Sequence, residues 1–344
     1  MPAVDHTRDI DTGSPLTNRN DMRKLIAFWS LFVVCGAALA QPATGYPNRP
    51  IRLVIATPPG STPDVGARLL AQYLTEDLKQ PVIVENKPGV NGLIAVREVL
   101  KSPADGYTVL VAPSSTMAVT PHVYKKQAGQ VLNDFSAVSQ IYQTDMSLIV
   151  RSGEGLESVG ALLDTARKSP GKLTAAYAAV GSASHVAIEL FKQQAGVDIY
   201  TVPFNTSPAA ALAVASGNAD LLFETVASTE PVVSSGRAKR IAMTGASRFK
   251  LVPTLPTVAE SGVPQFVITT WAGAFVPRGV APDRIATLSS AIGKVLANRD
   301  MARKLHTAGL LPGDASAPSF EAFWRAEAAL WEKTVAQSKA LQQE

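Results

Sequence analysis

Short apolar runs alternate with helix-spaced runs from Tyr46 to about Asp300, and this alternation limits the fold more than any other feature of the chain. Ile51–Ala56 (IRLVIA) reads as a buried strand. Val65–Leu78 places Val65, Leu69, Tyr73 and Leu74 at helix spacing. Pro81–Val84 is a strand, 91–100 a helix and Tyr107–Ala112 (YTVLVA) a strand. The β-α-β-α-β order implies a parallel sheet covered by helices on both faces. A second set starts near Ser147, with helices over 159–168, 183–195 and 209–215 and strands over 173–177, 199–202, 221–223 and 241–244. Helical periodicity fills Pro282 to Gln343, where Phe320, Phe323, Trp324, Leu330 and Trp331 read as packing residues. Two α/β sets in one chain fit its 344 residues.

The N-terminus reads as an export signal. Arg23 and Lys24 precede the uncharged run LIAFWSLFVVCGAAL at 25–39, and Ala38-Leu39-Ala40 supplies small residues for cleavage. The run is short for a membrane span, which needs about 20 residues. Residues 1–40 are therefore expected to be a signal region. Met22, directly before the basic pair, is expected to be the true start. The single cysteine, Cys35, falls inside this run. Val34 is larger than the small residue that lipidation needs before the cysteine, so a lipid anchor is disfavoured.

Charge and motifs narrow the function. Lys and Arg total 32 against 28 Asp and Glu, with no basic run of nucleic-acid type, so no nucleic-acid partner is expected. There is no G-x-S-x-G elbow and no phosphate-binding G-x-x-x-x-G-K-[ST] loop. His122, His185 and His306 lie far apart and no cysteine pair exists, so neither a metal nor a cofactor is expected.

In an open parallel sheet, ligands bind beyond the carboxyl ends of the strands. Five segments occupy such positions. The loop Thr57–Asp64 follows the first strand and contains Pro59, Gly60, Ser61, Thr62 and Asp64, with Thr62-Pro63 as cap and first helical residue. Ser115 and Thr116 follow the 107–112 strand. Gly181, Ser182, Ser184 and His185 follow the 173–177 strand, with Ser182 as a helix cap. Thr206 precedes a second cap-plus-proline pair, Ser207-Pro208. Glu224 follows the 221–223 strand. Each segment also reads as an ordinary turn, cap or ion-pair residue. Three helix N-termini at strand ends together point to a small anion, most simply a carboxylate.

The chain also resembles the exported receptors of tripartite tricarboxylate transporters, the Bug family. The resemblance rests on YPNRPIRLVIATPPG, QPVIVENKPGVNG at 80–92, ADGYTVLVAPSST at 104–116, GSASHVAIELFKQQAGVDI at 181–199 and ALAVASGNADLLFE at 211–224. GRAKRIAMTGASR, LPTVAESGVPQF and WAGAFVPRGVAP follow in the same order. It implies a two-lobed periplasmic binding protein of type 2-like fold, α/β, each lobe a mostly parallel sheet flanked by helices, with a ligand cleft between them. Lobe I would be 41–145 with 267–344, and lobe II 146–266. The implied role is capture of a small organic carboxylate in the periplasm, by a monomer without catalysis, for a membrane permease with a small companion subunit. The ligand loops carried over are 59–64 and 181–185, and Glu224 stands where the family often has Asp. Pro63 replaces a polar residue of the family pattern, and Phe204-Asn205-Thr206 stands for its Tyr-Lys-Gly. These departures imply a ligand of lower charge. A periplasmic sensor, or a hydrolase using Ser184 or Ser182 with His185, are the alternatives.

Overall fold

The computed structural model describes residues 45–337 and 341. The expected signal region, with Met22 and Cys35, lies outside the described residues. The described residues from Tyr46 onward form one compact unit.

The strands β1 (Ile51–Ile55), β2 (Val82–Asn86) and β3 (Thr108–Pro113) pair in parallel in the order β2-β1-β3. The helices α1 (Thr62–Leu78) and α2 (Leu93–Leu100) make the crossovers. α1 buries Ala67, Leu70, Ala71 and Leu74 along one stripe, as its apolar spacing requires. A second parallel set, β6-β5-β7, comprises β5 (Thr174–Tyr177), β6 (Tyr200–Pro203) and β7 (Leu221–Thr225). Its helices are α3 (Val159–Lys168), α4 (Ala183–Ala195), α5 (Ser207–Ser216) and α6 (Val226–Ser234).

The two sets meet on β4 (Phe135–Arg151), a 17-residue strand absent from the sequence reading. From Phe135 to Asp145 it pairs antiparallel with β9 (Thr269–Pro277), which pairs antiparallel with β3. From Met146 onward it pairs antiparallel with β7 and with β8 (Ala238–Met243). The short β10 (Leu311–Pro312) also pairs antiparallel with it. Parallel pairing therefore holds within each set of three, and every strand added through β4 or β9 is antiparallel. At the change-over, the Thr244 hydroxyl and the Met146 backbone lie within 3.1 Å, and the same hydroxyl donates to Ile268 O at 2.7 Å.

The C-terminal part comprises α7 (Pro282–Ala297), α8 (Arg299–Thr307) and α9 (Ala317–Gln337), interrupted by β10. Phe320, Trp324 and Trp331 are buried as expected, whereas Phe323 and Leu330 are exposed. Trp271 meets Phe320 edge-on at 5.2 Å, and Phe275 meets Trp324 at 4.9 Å. No helix among the described residues is long and apolar enough to cross a membrane.

Glu327 on α9 accepts hydrogen bonds from the indole N–H groups of Trp271 and, at 3.3 Å, Trp331. Burial pushes its carboxyl up to about 7, against the opposing pull of those two donors. Between its ordinary range and that value the folded state holds a proton that the unfolded chain has released. Glu327 thus favours folding at low pH, and this contribution is lost as pH rises through about 7. Glu327→Gln should therefore gain stability relative to the parent chain, on the order of 2–3 kcal/mol, between pH 5 and 8. Denaturant unfolding at the two pH values checks this, and an equal difference at both would refute it.

Candidate functional site

A cavity of about 520 Å³ lies where the two strand sets face each other. Its wall includes Pro59, Ser61 and Thr62 after β1, and Ser115 and Thr116 after β3. Ser182 and Ser184 after β5, Thr206 after β6, and Glu224 at the end of β7 complete the expected residues on it. These strand ends come together because each parallel set ends at the shared β4 crossing.

Four helices start at this wall. α1, α4, α5 and α6 each contribute residues of their first turn or cap to it. Ser182 caps α4 by accepting from His185 N–H at 3.3 Å, and Thr206 caps α5 by accepting from Ala209 N–H at 3.3 Å. The caps of α1 and α5 are Ser61 and Thr206, one residue before the expected Thr62 and Ser207, so each proline takes the second helical position. Neither Ser61 nor Thr225 caps its helix through the side chain. The first-turn N–H groups of α1 and α6 therefore carry positive potential toward the cavity without a side-chain acceptor of the cap. Among the described residues no Lys, Arg or His side chain lines the wall, and the titratable ones that do are Glu224 and Tyr142.

The remaining expected residues support the loops from outside the wall. Asp64 is 2% exposed and accepts from Gly60 N–H at 2.9 Å, Asn86 at 2.8 Å and Arg68 at 3.0 Å. Burial works to raise its pKa, but these three donors hold the carboxyl below the usual range. Gly60 faces solvent at the turn that Asp64 fastens. The buried His185 accepts the Gly181 N–H on Nδ1 at 3.1 Å and stacks on Tyr177 at 4.3 Å. Burial lowers its pKa, favouring the neutral ring that this acceptor role needs. Ser184 Oγ accepts from Ala178 N–H and lies 3.0 Å from Ser182 Oγ. Ser184 and His185 thus hold the two ends of one loop rather than each other. Burial pushes the Glu224 carboxyl up, opposed by hydrogen bonds from Ser207 and from the backbone and side chain of Thr225.

The sequence reading missed several wall residues. Asn91, with a left-handed φ of 50°, donates across the cavity to Val180 O. Thr62 and Thr225 hydroxyls meet at 2.8 Å, joining the N-termini of α1 and α6 from opposite strand sets. Ser228, Tyr142 and Thr270 also line the wall. The left-handed pair Val90-Asn91 lies in a Pro-Gly loop, a turn signal that marks irregular backbone. Tyr142 and Thr270 lie on the unrecognised strands β4 and β9. No cluster of metal-ligating side chains occurs among the described residues.

Gly92 in this wall has φ +88°, and a Cβ there would lie 2.6 Å from Thr116 Oγ1 and 2.9 Å from Ala56 Cβ. Gly92→Ala should cost roughly 1–3 kcal/mol through strain and crowding. Equilibrium unfolding measures it, and unchanged stability would contradict the close approach.

The family model of the tripartite tricarboxylate transporter family receptor matches residues 66–340. Protein BugT of Bordetella pertussis is 31% identical over 322 residues, covering 93% of this chain and 99% of its own. The structure of R. palustris Rpa4515 with adipate superposes with a TM-score of 0.81 at 32% identity, over 85% of this chain and 98% of that one. The periplasmic binding protein BugD superposes with a TM-score of 0.78 at 25% identity, over 87% and 100%. The fold is accordingly that of the periplasmic binding proteins, and the chain belongs to the tripartite tricarboxylate transporter receptor family, the Bug proteins.

Proposed function

We propose that this chain captures a small organic carboxylate between two lobes and delivers it to a tripartite tricarboxylate-type membrane transporter. The lobes are residues 41–145 with 267–344 and residues 146–266, and the working compartment is the periplasm. The observation that carries this reading is the cavity wall itself. Four helix N-termini from both strand sets face one space that has no cationic side chain among the described residues. Backbone N–H groups and hydroxyls offer donors there to a carboxylate, and the aligned peptide dipoles favour its charge. The adipate held by Rpa4515 supports the ligand class, and the name of BugD supports the compartment.

Closure follows from contacts that exist only when the lobes meet. The Thr62–Thr225 bridge and the Asn91–Val180 bond each join segments from opposite strand sets. A ligand that contacts both sides stabilises the closed arrangement by its differential affinity. The permease and its small companion subunit are then the partners that recognise the closed form. Ser184 Oγ and His185 Nδ1 are each engaged within their own loop and not with each other, which favours binding over hydrolysis.

A carboxylate at 100 times its Kd should stabilise the protein by about 2.7 kcal/mol if it binds only the folded state. Thermal unfolding against mono-, di- and tricarboxylates, adipate included, reads this, and no shift with any of them overturns the receptor assignment. Thr62→Val should weaken binding by about 1 kcal/mol, roughly fivefold in Kd, through loss of a bond made on closure. Calorimetric titration measures it, and an unchanged Kd removes the bridge from the closing mechanism.

A further inference from the structure

Tyr142 brings to the cavity wall a phenol hydroxyl without a partner among the described residues. It lies on β4, where Gln140 faces Gly273 and Tyr142 faces Ala272, so Ile141 is an extra residue in the ladder. A bulge of this kind re-aims the side chain beside it. Tyr142 is 2% exposed and lines the cavity. Its ring lies against α1 at Gly66, where a Cβ would come within 2.8 Å of Cδ1 and 2.9 Å of Cε1. The helix thus carries a glycine where the ring needs room, despite the poor helix propensity of that residue. The hydroxyl has no hydrogen bond among the described residues and is not sealed from solvent, so the little surface it has opens on the cavity. A buried tyrosine hydroxyl ordinarily finds a partner, and leaving it without one is costly. Burial, with the Glu224 carboxyl nearby, pushes its pKa well above the ordinary tyrosine value, so the group stays protonated and can donate.

Resting on the carboxylate-receptor reading, we propose that Tyr142 is a ligand-binding residue whose hydroxyl donates a hydrogen bond to the ligand's carboxylate. The contact with Gly66 puts this donor on the same side of the wall as Thr62 and the first-turn N–H groups of α1. All of these donors are neutral, and together they answer a carboxylate in a wall that has no cation among the described residues. Glu224 does not take the ligand's place. Its carboxyl is engaged by Thr225 and Ser207, and no hydrogen bond joins it to Tyr142. The burial that pushes the Glu224 carboxyl up also eases the approach of a second carboxyl.

Tyr142→Phe tests this, because it removes the hydroxyl and keeps the ring against Gly66. Hexanoate, adipate, malate and citrate are titrated by calorimetry into the parent chain and the variant, and both chains are unfolded in denaturant without ligand. Hexanoate is the critical probe, since its carboxylate is its only hydrogen-bonding group. For every probe that binds the parent chain, Kd should rise about tenfold or more in the variant, the scale of a lost hydrogen bond to a charged group. The unfolding midpoint should stay or move up, since a hydroxyl without a partner adds nothing to the fold. A smaller rise in Kd, or a loss confined to the other probes while hexanoate binds as before, overturns the inference and leaves the receptor reading standing. So does a midpoint that falls while Kd stays the same, which assigns the hydroxyl to the fold alone. No binding of any of the four by the parent chain overturns both.

Discussion

Everything at the cavity depends on β4 being one continuous strand shared by two sheets. Seventeen residues at about 3.3 Å each carry the chain from one strand set to the other without a loop. The strand is nearly all buried, yet it contains Ser139, Gln140, Thr144, Asp145 and Ser147. Most of these find specific partners. Thr144 donates to Gly309 O at 2.8 Å, Ser147 to Glu224 O at 3.0 Å, and Gln140 accepts from Asp314 N–H at 3.0 Å. A buried polar group without a partner is costly, so these bonds fix the register of the crossing as well as its stability. The largest apolar cluster extends beneath both sets, from Val54 and Leu110 through Phe135 to Phe223 and Phe266. The two halves therefore share both a strand and a core.

From that geometry the electrostatics follow. Strand ends that converge bring the helices after them to one place, N-terminus first. Two of the four helices satisfy first-turn N–H groups through Ser182 and Thr206, while α1 and α6 do not use their cap side chains this way. Asp64 and His185 stand one layer back and hold the loops in shape. The polar part of the wall thus consists of hydroxyls and peptide groups, with Glu224 as its acid.

The parallel sets were legible because their strands are short apolar runs between helix-spaced segments. The 159–168 and 183–195 helices are placed as read from sequence. β4 was not legible, since its polar residues break any apolar run and their partners are far away in sequence. β9 went unread as a strand for a related reason: its pairing partners, β3 and β4, are both remote. The site loops were legible as positions, because strand ends in an α/β sheet are where ligands bind. The division of labour within them was not. Nothing local distinguishes a Ser61 that faces the cavity from an Asp64 that anchors the turn behind it.

A wall built of dipoles also bears on how a ligand arrives. Fixed charges act over a Debye length, about 8 Å at physiological salt, and dissolved ions weaken them. The potential at a helix N-terminus fades within the first turn. An anion approaching this cavity therefore feels little pull until it is inside, where few salt ions can follow. On the proposed reading, capture is then governed by diffusion to the mouth and by how long the ligand is held there, with the surrounding ionic strength a minor influence on either.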